Sequence, residues 1–513
     1  MIRVRRHTPR HMAGRRPDPP QGDGGGAGAP AHVGGGDRPR RGGWVLPAVL
    51  AAVTIGAGAG AVALDADPAA DATGVDRVVA TPVLSARRAP EVVASPVADR
   101  RLAGELESWL EDSPEDSCLV VEAQGREVLA HNADLPLTGA STQKLLTATG
   151  LLLAHGPDAT FTTEVVAEAP PAGGVVAGDL YVIGGGPADL GTPDWPEMAP
   201  GTRQRVVHDV DELVAAISAA GVTRVEGSVV GDGSRYDDQR YEETLAERLV
   251  HQDQVGPIGA LMVNDGFARF SPERTNASTV PADDPAADAA RVITERLEAN
   301  GIEVAGAPRA GTAPEGATPV ASLPSPPVSQ LVAEMLTTSD NEAAEAMLKE
   351  IGATEAGEGS WDAGAAALES LLAEAGVSTD GLDVVDGSGL SIANVLTCAT
   401  LVDVLTLEGT GPVVREGLPV AGETGTLADR WTDSEVAGRL RAKTGTLRNV
   451  TALAGEVETL SGTAITFAYV ANVPDPQQIT AEEVGLDELA EILVRHPGDL
   501  DLAALEPEAP ATG

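Results

Sequence analysis

Lysine is nearly missing from this 513-residue chain: only Lys144, Lys349 and Lys443 occur, so 32 of the 35 basic side chains are arginine. Aromatic residues are also scarce, at 3% of the sequence, and there are two cysteines. Each shortage excludes something. With 35 basic against 77 acidic residues the net charge is −42, and the chain has no general basic face with which to follow phosphates, so nucleic acid is not an expected partner. Cys118 and Cys398 are too few for a disulfide framework and lack the spacing of a zinc site; they form either one bridge or two buried thiols. None of the eight histidines stands in a His-x-x-x-His or similar ligand pair, so a metal enzyme is not expected. The rarity of lysine is informative in the other direction. Arginine does not give up its proton at accessible pH, so a lysine in an arginine-rich chain marks a place where an ammonium able to act as a base is needed.

What is present divides the chain into segments. Residues 1–41 hold nine arginines and three aspartates among many Gly and Pro, a composition that builds no core and reads as a disordered basic tail. Residues 42–64 contain a stretch from Trp44 to Leu64 without a charge, long enough to cross about 30 Å of hydrocarbon. Arg38, Arg40 and Arg41 precede it, which predicts a cytoplasmic tail and an extracytoplasmic remainder. The stretch reads as a membrane anchor or, with Ala61-Val62-Ala63 as a cleavage site, a signal segment. Residues 65–97 read as a linker. Leu102, Leu106, Trp109 and Leu110 predict a helix over about 98–112, followed by strands 118–123 and 127–131 turning at Gln124-Gly125. The reading continues with a first catalytic part over 98–165, a strand-rich insert over 166–324, a second catalytic part over 325–495 and an acidic disordered tail over 496–513. Helices are expected at 328–351 and 362–375, and a meander of strands from Gly438 to Asn472.

Three motifs carry chemistry. Ser141-Thr142-Gln143-Lys144 places a lysine one helical turn after a serine, so its amine can take the hydroxyl proton. Ser339-Asp340-Asn341 could on its own be a helix cap; read functionally, Ser339 relays a proton and the Asn341 amide holds a substrate peptide. Lys443-Thr444-Gly445-Thr446 lies on a predicted strand, where a glycine marks close approach to the backbone and the lysine and hydroxyls can bind a carboxylate beside an oxyanion site. Asp386-Gly387-Ser388-Gly389 reads as a tight turn chosen for positive φ, with a direct site role equally open. Lys349 reads as a solvated side chain whose exchange for arginine is nearly silent. Gly184-Gly185-Gly186-Pro187-Ala188-Asp189 fails the Gly-x-Gly-x-x-Gly pattern, which rejects a nucleotide site.

Ser-x-x-Lys, Ser-Asp-Asn and Lys-Thr-Gly in that order are the signature set of β-lactamases and penicillin-binding proteins. The first two motifs are 198 residues apart and the last two 104 (339 − 141 and 443 − 339), leaving room for an inserted domain before Ser339. With Gly139 to Leu146, Asp386 to Ser391, Leu418 to Gly422 and Lys443 to Leu447, the chain closely resembles the class C low-molecular-mass penicillin-binding proteins, the D-alanyl-D-alanine carboxypeptidase/endopeptidase family. The resemblance implies an α/β (α+β) transpeptidase-like fold, an antiparallel sheet flanked by helices with the insert between the first two motifs. It implies Ser141 as nucleophile, Lys144 as base, Ser339 as relay, and Asn341, Lys443, Thr444, Gly445 and Thr446 as substrate contacts. Peptidoglycan stem peptides are the implied substrate, β-lactams the implied covalent inhibitors, and no cofactor is implied. A β-lactamase-like hydrolase and a non-catalytic wall-binding scaffold are the alternatives.

Overall fold

The computed structural model describes residues 90–187, 190–195, 208–269 and 280–497. The basic tail, the apolar stretch 44–64, most of the linker and residues 498–513 lie outside the described residues. Among the described residues no helix is long and apolar enough to cross a membrane.

Helix α1 (Pro90–Leu110) buries Leu102, Leu106 and Trp109 as its spacing predicts, and begins inside the stretch assigned to the linker. Strands β1 (Ser117–Ala123) and β2 (Arg126–His131) are joined by Gln124 and Gly125, with φ of 52° and 71°. Two successive positive φ values are what a two-residue hairpin turn requires. A short 3-10 turn, Ala140–Thr142, then leads into α2 (Gln143–His155).

The inserted stretch follows with β3 (Thr162–Ala167), β4 (Leu180–Ile183), α3 (Val210–Ala219), β5 (Val229–Asp232), α4 (Pro285–Ala299), β6 (Arg309–Ala310) and β7 (Thr318–Pro324). Its sheet is mixed, in the order β6-β5-β4-β3-β7. Of these strands β4 and β5 were legible in sequence, whereas β3, β6, β7, α3 and α4 were not singled out. Their signals are local: Asp209 and Asp284 accept N–H groups of the first turns, and Pro285 opens α4. Leu213, Ile217, Ile293 and Leu297 of these helices pack with Val165, Leu180 and Val229 in a core separate from that of the main sheet.

The chain returns through α5 (Val328–Thr338), α6 (Asn341–Glu355), α7 (Trp361–Glu374) and α8 (Cys398–Thr406), then β8 (Leu440–Leu447), β9 (Val450–Glu458), β10 (Ala464–Asn472) and α9 (Leu486–Val494). The main sheet is antiparallel throughout, in the order β8-β9-β10-β1-β2. Both its faces are buried. On β1, Leu119, Val121 and Ala123 join the core under α1 and α9, while Cys118 and Val120 join the core under α2 and α5 to α8. That is why β1 and β10 read as nearly continuous apolar runs, since alternation disappears when both faces meet helices. Of the two readings for the cysteines, the bridge is the one found: Cys118 on β1 is joined to Cys398 at the start of α8.

The expectation for Lys349 is overturned. Its side chain is fully buried, its Nζ lies 2.5 Å from Asp237 Oδ1 and 2.8 Å from the Gln239 carbonyl, and it sits 3.7 Å over the Trp361 ring. The miss has a physical reason: α6 is buried on more than one side, and the hydrogen-bond partners of Lys349 come from the insert, more than a hundred residues away in sequence. Next to it Arg235 grips Glu350 with two nitrogens, and the Tyr236 hydroxyl donates to the Ala346 carbonyl. Together these residues clasp the insert to α6. An arginine at 349 is longer and planar, and would not be silent. Lys349→Met leaves Asp237 unpaired; because a third of that carboxylate's side chain is in solvent, the expected loss is about 2–3 kcal/mol rather than the full value for a buried pair. Thermal unfolding measures it, and a variant that melts with the wild type would remove the clasp from the account.

Candidate active site

Ser141 stands on the 3-10 turn that opens α2, half-buried, and Lys144 follows on the first turn of the helix, fully buried. Lys144 Nζ lies 3.3 Å from Ser141 Oγ and donates to Asn341 Oδ1 and to the Ser388 carbonyl, each at 2.7 Å. All three ammonium protons therefore have an acceptor. Burial pulls the lysine down from its ordinary value to about 8, against the raising pull of the Glu345, Asp386 and Glu342 carboxylates.

Ser339-Asp340-Asn341 forms the helix cap that its sequence allowed. Ser339 ends α5 in a left-handed conformation (φ 61°), and Asp340 begins α6 by accepting the Ala343 N–H at 2.8 Å. The junction of two helices thus projects Ser339 and Asn341 toward the other motifs. Ser339 Oγ accepts from Lys443 Nζ at 2.9 Å, and the Asn341 amide nitrogen donates to the Gln254 carbonyl at 2.7 Å.

Lys443, Thr444, Gly445 and Thr446 lie on β8, at the end of the main sheet. Lys443 is fully buried and also donates to the Thr444 carbonyl at 2.9 Å; Thr444 is half-buried and Thr446 exposed. Burial, and then the charge of Lys144, hold Lys443 well below the ordinary lysine value. The repulsion from Lys144 on Lys443 acts second to burial. Gly445 lets the strand approach the serine turn: a Cβ there would stand 2.5 Å from the Gly139 carbonyl. The three motifs, scattered over three hundred residues, are brought to one place.

The Asp386 loop completes the arrangement, with the positive φ expected of it confined to one residue. Only Gly389 has a positive φ, of 82°, while Gly387 is required because a Cβ would stand 2.2 Å from the Ala344 carbonyl. The loop is also more than a turn, because its Ser388 carbonyl is an acceptor for Lys144. At Gly389 a Cβ would stand 1.9 Å from the Ala140 carbonyl, directly before Ser141, where Ala140 itself is held at φ 48°. Gly389→Ala should therefore displace the serine turn. The expected result is a destabilisation of about 1–3 kcal/mol and at least about a tenfold slower reaction with a labelled penicillin; an unchanged acylation rate would show that the turn tolerates the push. Ser388 was named only within a loop whose site role was left open, and Gln254 was not picked out, since both contribute backbone carbonyls, which leave no residue-type signal.

Among the described residues one carboxylate trio, Asp265, Asp340 and Glu342, is close enough to hold a cation. Asp340 caps α6, and Glu342 accepts the Gly256 N–H at 2.9 Å.

A model of the D-Ala-D-Ala carboxypeptidase 3 (S13) family matches residues 102–282 and 271–492. The chain is 30% identical over 437 residues to a D-alanyl-D-alanine carboxypeptidase of Actinomadura sp. (strain R39), an alignment covering 71% of this chain and 78% of the relative. In fold it is similar to penicillin binding protein 4 (dacB) from Haemophilus influenzae, with a TM-score of 0.62 at 20% identity over 76% of this chain and 99% of that one. A structure of the same protein complexed with a β-lactam gives a TM-score of 0.56 at 19% identity over 76% and 98%. With the family model running through both halves of the main sheet and across the insert between them, the chain belongs to the D-Ala-D-Ala carboxypeptidase 3 (S13) family and is a serine-type peptidase of that class.

Proposed function

We propose that Ser141 is the nucleophile of this carboxypeptidase and Lys144 its general base. The observation that carries the reading is a fully buried ammonium, lowered to about 8, placed 3.3 Å from a half-exposed serine hydroxyl. In its neutral form Lys144 takes the Oγ proton as Oγ attacks the carbonyl carbon between the two terminal D-alanines of a peptidoglycan stem peptide. The tetrahedral adduct collapses with the terminal D-alanine as leaving group, its amine taking a proton through Ser339, which is bonded to Lys443. Water then hydrolyses the Ser141 ester and the proton returns to the serine. Thr444, Thr446 and Lys443 face the peptide's carboxylate end, Gly445 gives the backbone access, and Asn341 holds the substrate amide. β-Lactams acylate the same serine, and cross-linked peptides enter as endopeptidase substrates.

The reaction takes place outside the cytoplasm. The arginine-flanked stretch 44–64 supports export, with the segment kept as an anchor or removed, and the Cys118–Cys398 bridge suits an oxidising compartment. Mass spectrometry of a pentapeptide and of a cross-linked muropeptide incubated with the enzyme tests the activity and divides carboxypeptidase from endopeptidase action. Rapid turnover of a penicillin in place of a persistent adduct would favour a β-lactamase-like hydrolase, and absence of any adduct would favour a wall-binding scaffold.

A further inference from the structure

We infer that Asp386 is a positioning residue that sets the proton affinity of Lys144 through the Ser388–Gly389 peptide group. The geometry is a relay. Lys144 Nζ donates to the carbonyl of Ser388 at 2.7 Å, and the N–H on the other side of that same peptide bond, belonging to Gly389, donates to Asp386 Oδ1 at 2.6 Å. One rigid peptide dipole therefore has the ammonium at its negative end and a carboxylate at its positive end. Charge on Asp386 polarises the peptide and strengthens the bond that holds the protonated lysine. The carboxylate is itself fixed by the Ser391 N–H at 2.6 Å and the Asn394 amide at 2.8 Å, and it is 1% exposed.

A second carboxylate holds the neighbouring peptides. Glu345 accepts the N–H groups of Gly387 and Ser388 at 3.0 and 3.1 Å, along with the Trp361 indole at 2.7 Å, and Thr147 on α2 donates to the Gly387 carbonyl at 2.7 Å. The titratable and charged groups facing the pair are Lys144 and Glu342 on the side of the serine, and Arg240, Tyr241 and Glu242 across a small enclosed cavity that Asp386 and Glu345 also line. Lys349 and Lys443 lie one neighbour further out, against Glu345 and Lys144 respectively. Burial beside Glu345 pushes the Asp386 carboxyl up to about 8, the range in which Lys144 loses its proton. The Asp386 charge also acts on Lys144 directly, raising its proton affinity, so protonation of one group shifts the other.

The consequence for catalysis rests on the reading of Lys144 as the base, but the coupling itself does not. The chain's three lysines make a direct test possible: ¹³Cε-lysine labelling of the full chain gives three side-chain signals, assigned with Lys349→Met and with Lys443→Arg. In the wild type the Lys144 signal should show two inflections, its own and that of the neighbouring carboxyl. In Asp386→Asn the second inflection should vanish and the first move to lower pH by on the order of one unit, because a negative neighbour is gone. The acid limb of the penicillin acylation rate should move down with it. Thr147→Val, which loosens the same loop without removing charge, should lower the rate and leave the limb in place. A single inflection in the wild type, or an unmoved Lys144 signal in Asp386→Asn, overturns the inference, and the wild-type titration decides even if the variant does not fold. A Lys144 signal that moves while the acylation limb stays supports the coupling and removes Lys144 as the base.

Discussion

Replacing Ser141 with alanine should abolish both release of D-alanine from a pentapeptide and covalent labelling by a penicillin, a fall of about 10⁴-fold or more. The acyl group has nowhere else to go. Ser339 is another hydroxyl of the site, but its oxygen already accepts from Lys443 at 2.9 Å. Folding should be almost untouched. Ser141 is half-exposed and its side chain makes a single 3.3 Å contact, to a lysine whose two other acceptors remain. The alanine variant should therefore melt within about 1 kcal/mol of the wild type. Mass spectrometry of the intact protein after exposure to penicillin reads the result, and D-alanine release that persists in the variant would end the proposed mechanism.

How far the sequence could carry this depends on the kind of contact. The side chains proposed to act chemically were legible: Ser141, Lys144, Ser339, Asn341 and Lys443 stand in short motifs, and the structure gathers them around one pair of lysines. The strands were legible wherever apolar runs were bounded by turn residues, as for β1, β2 and the meander β8 to β10. Two classes were hidden. Backbone acceptors such as the Ser388 and Gln254 carbonyls carry no residue-type signal, and long-range pairings such as Lys349 with Asp237 depend on a contact between segments 112 residues apart. The misreading of Lys349 has a simple physical origin. A charged residue on a helix is usually solvated, and the rule fails where the insert supplies a carboxylate and a carbonyl and α7 an aromatic face. The premise drawn from the scarcity of lysine was sounder than that local rule, since all three lysines are buried and all three have specific acceptors.

Lys144→Arg should slow acylation by about 10³-fold or more, although it preserves the charge. The base must be neutral when it takes the Oγ proton. With its value lowered to about 8, roughly one Lys144 in ten is neutral at pH 7, and the acylation rate should rise about tenfold per pH unit below 8 before levelling above it. A guanidinium offers no neutral form in this range, so the arginine variant should be slow and flat with pH. The same depression must appear in stability. Lys144 and Lys443 both bind protons less tightly in the folded chain than in the unfolded one. Between pH 8 and about 10.5 the unfolded state therefore holds the extra protons, and stability should rise with pH across that window. Below pH 8 the native chain carries the full cost of a buried Lys144 ammonium, about 3 kcal/mol for a shift of this size. Denaturant melts of the wild type and of Lys144→Met at several pH values separate this contribution, since the methionine variant should lose the part due to residue 144. A wild-type acylation limb near 10 would mean that burial does not lower Lys144, and the serine would then need another base.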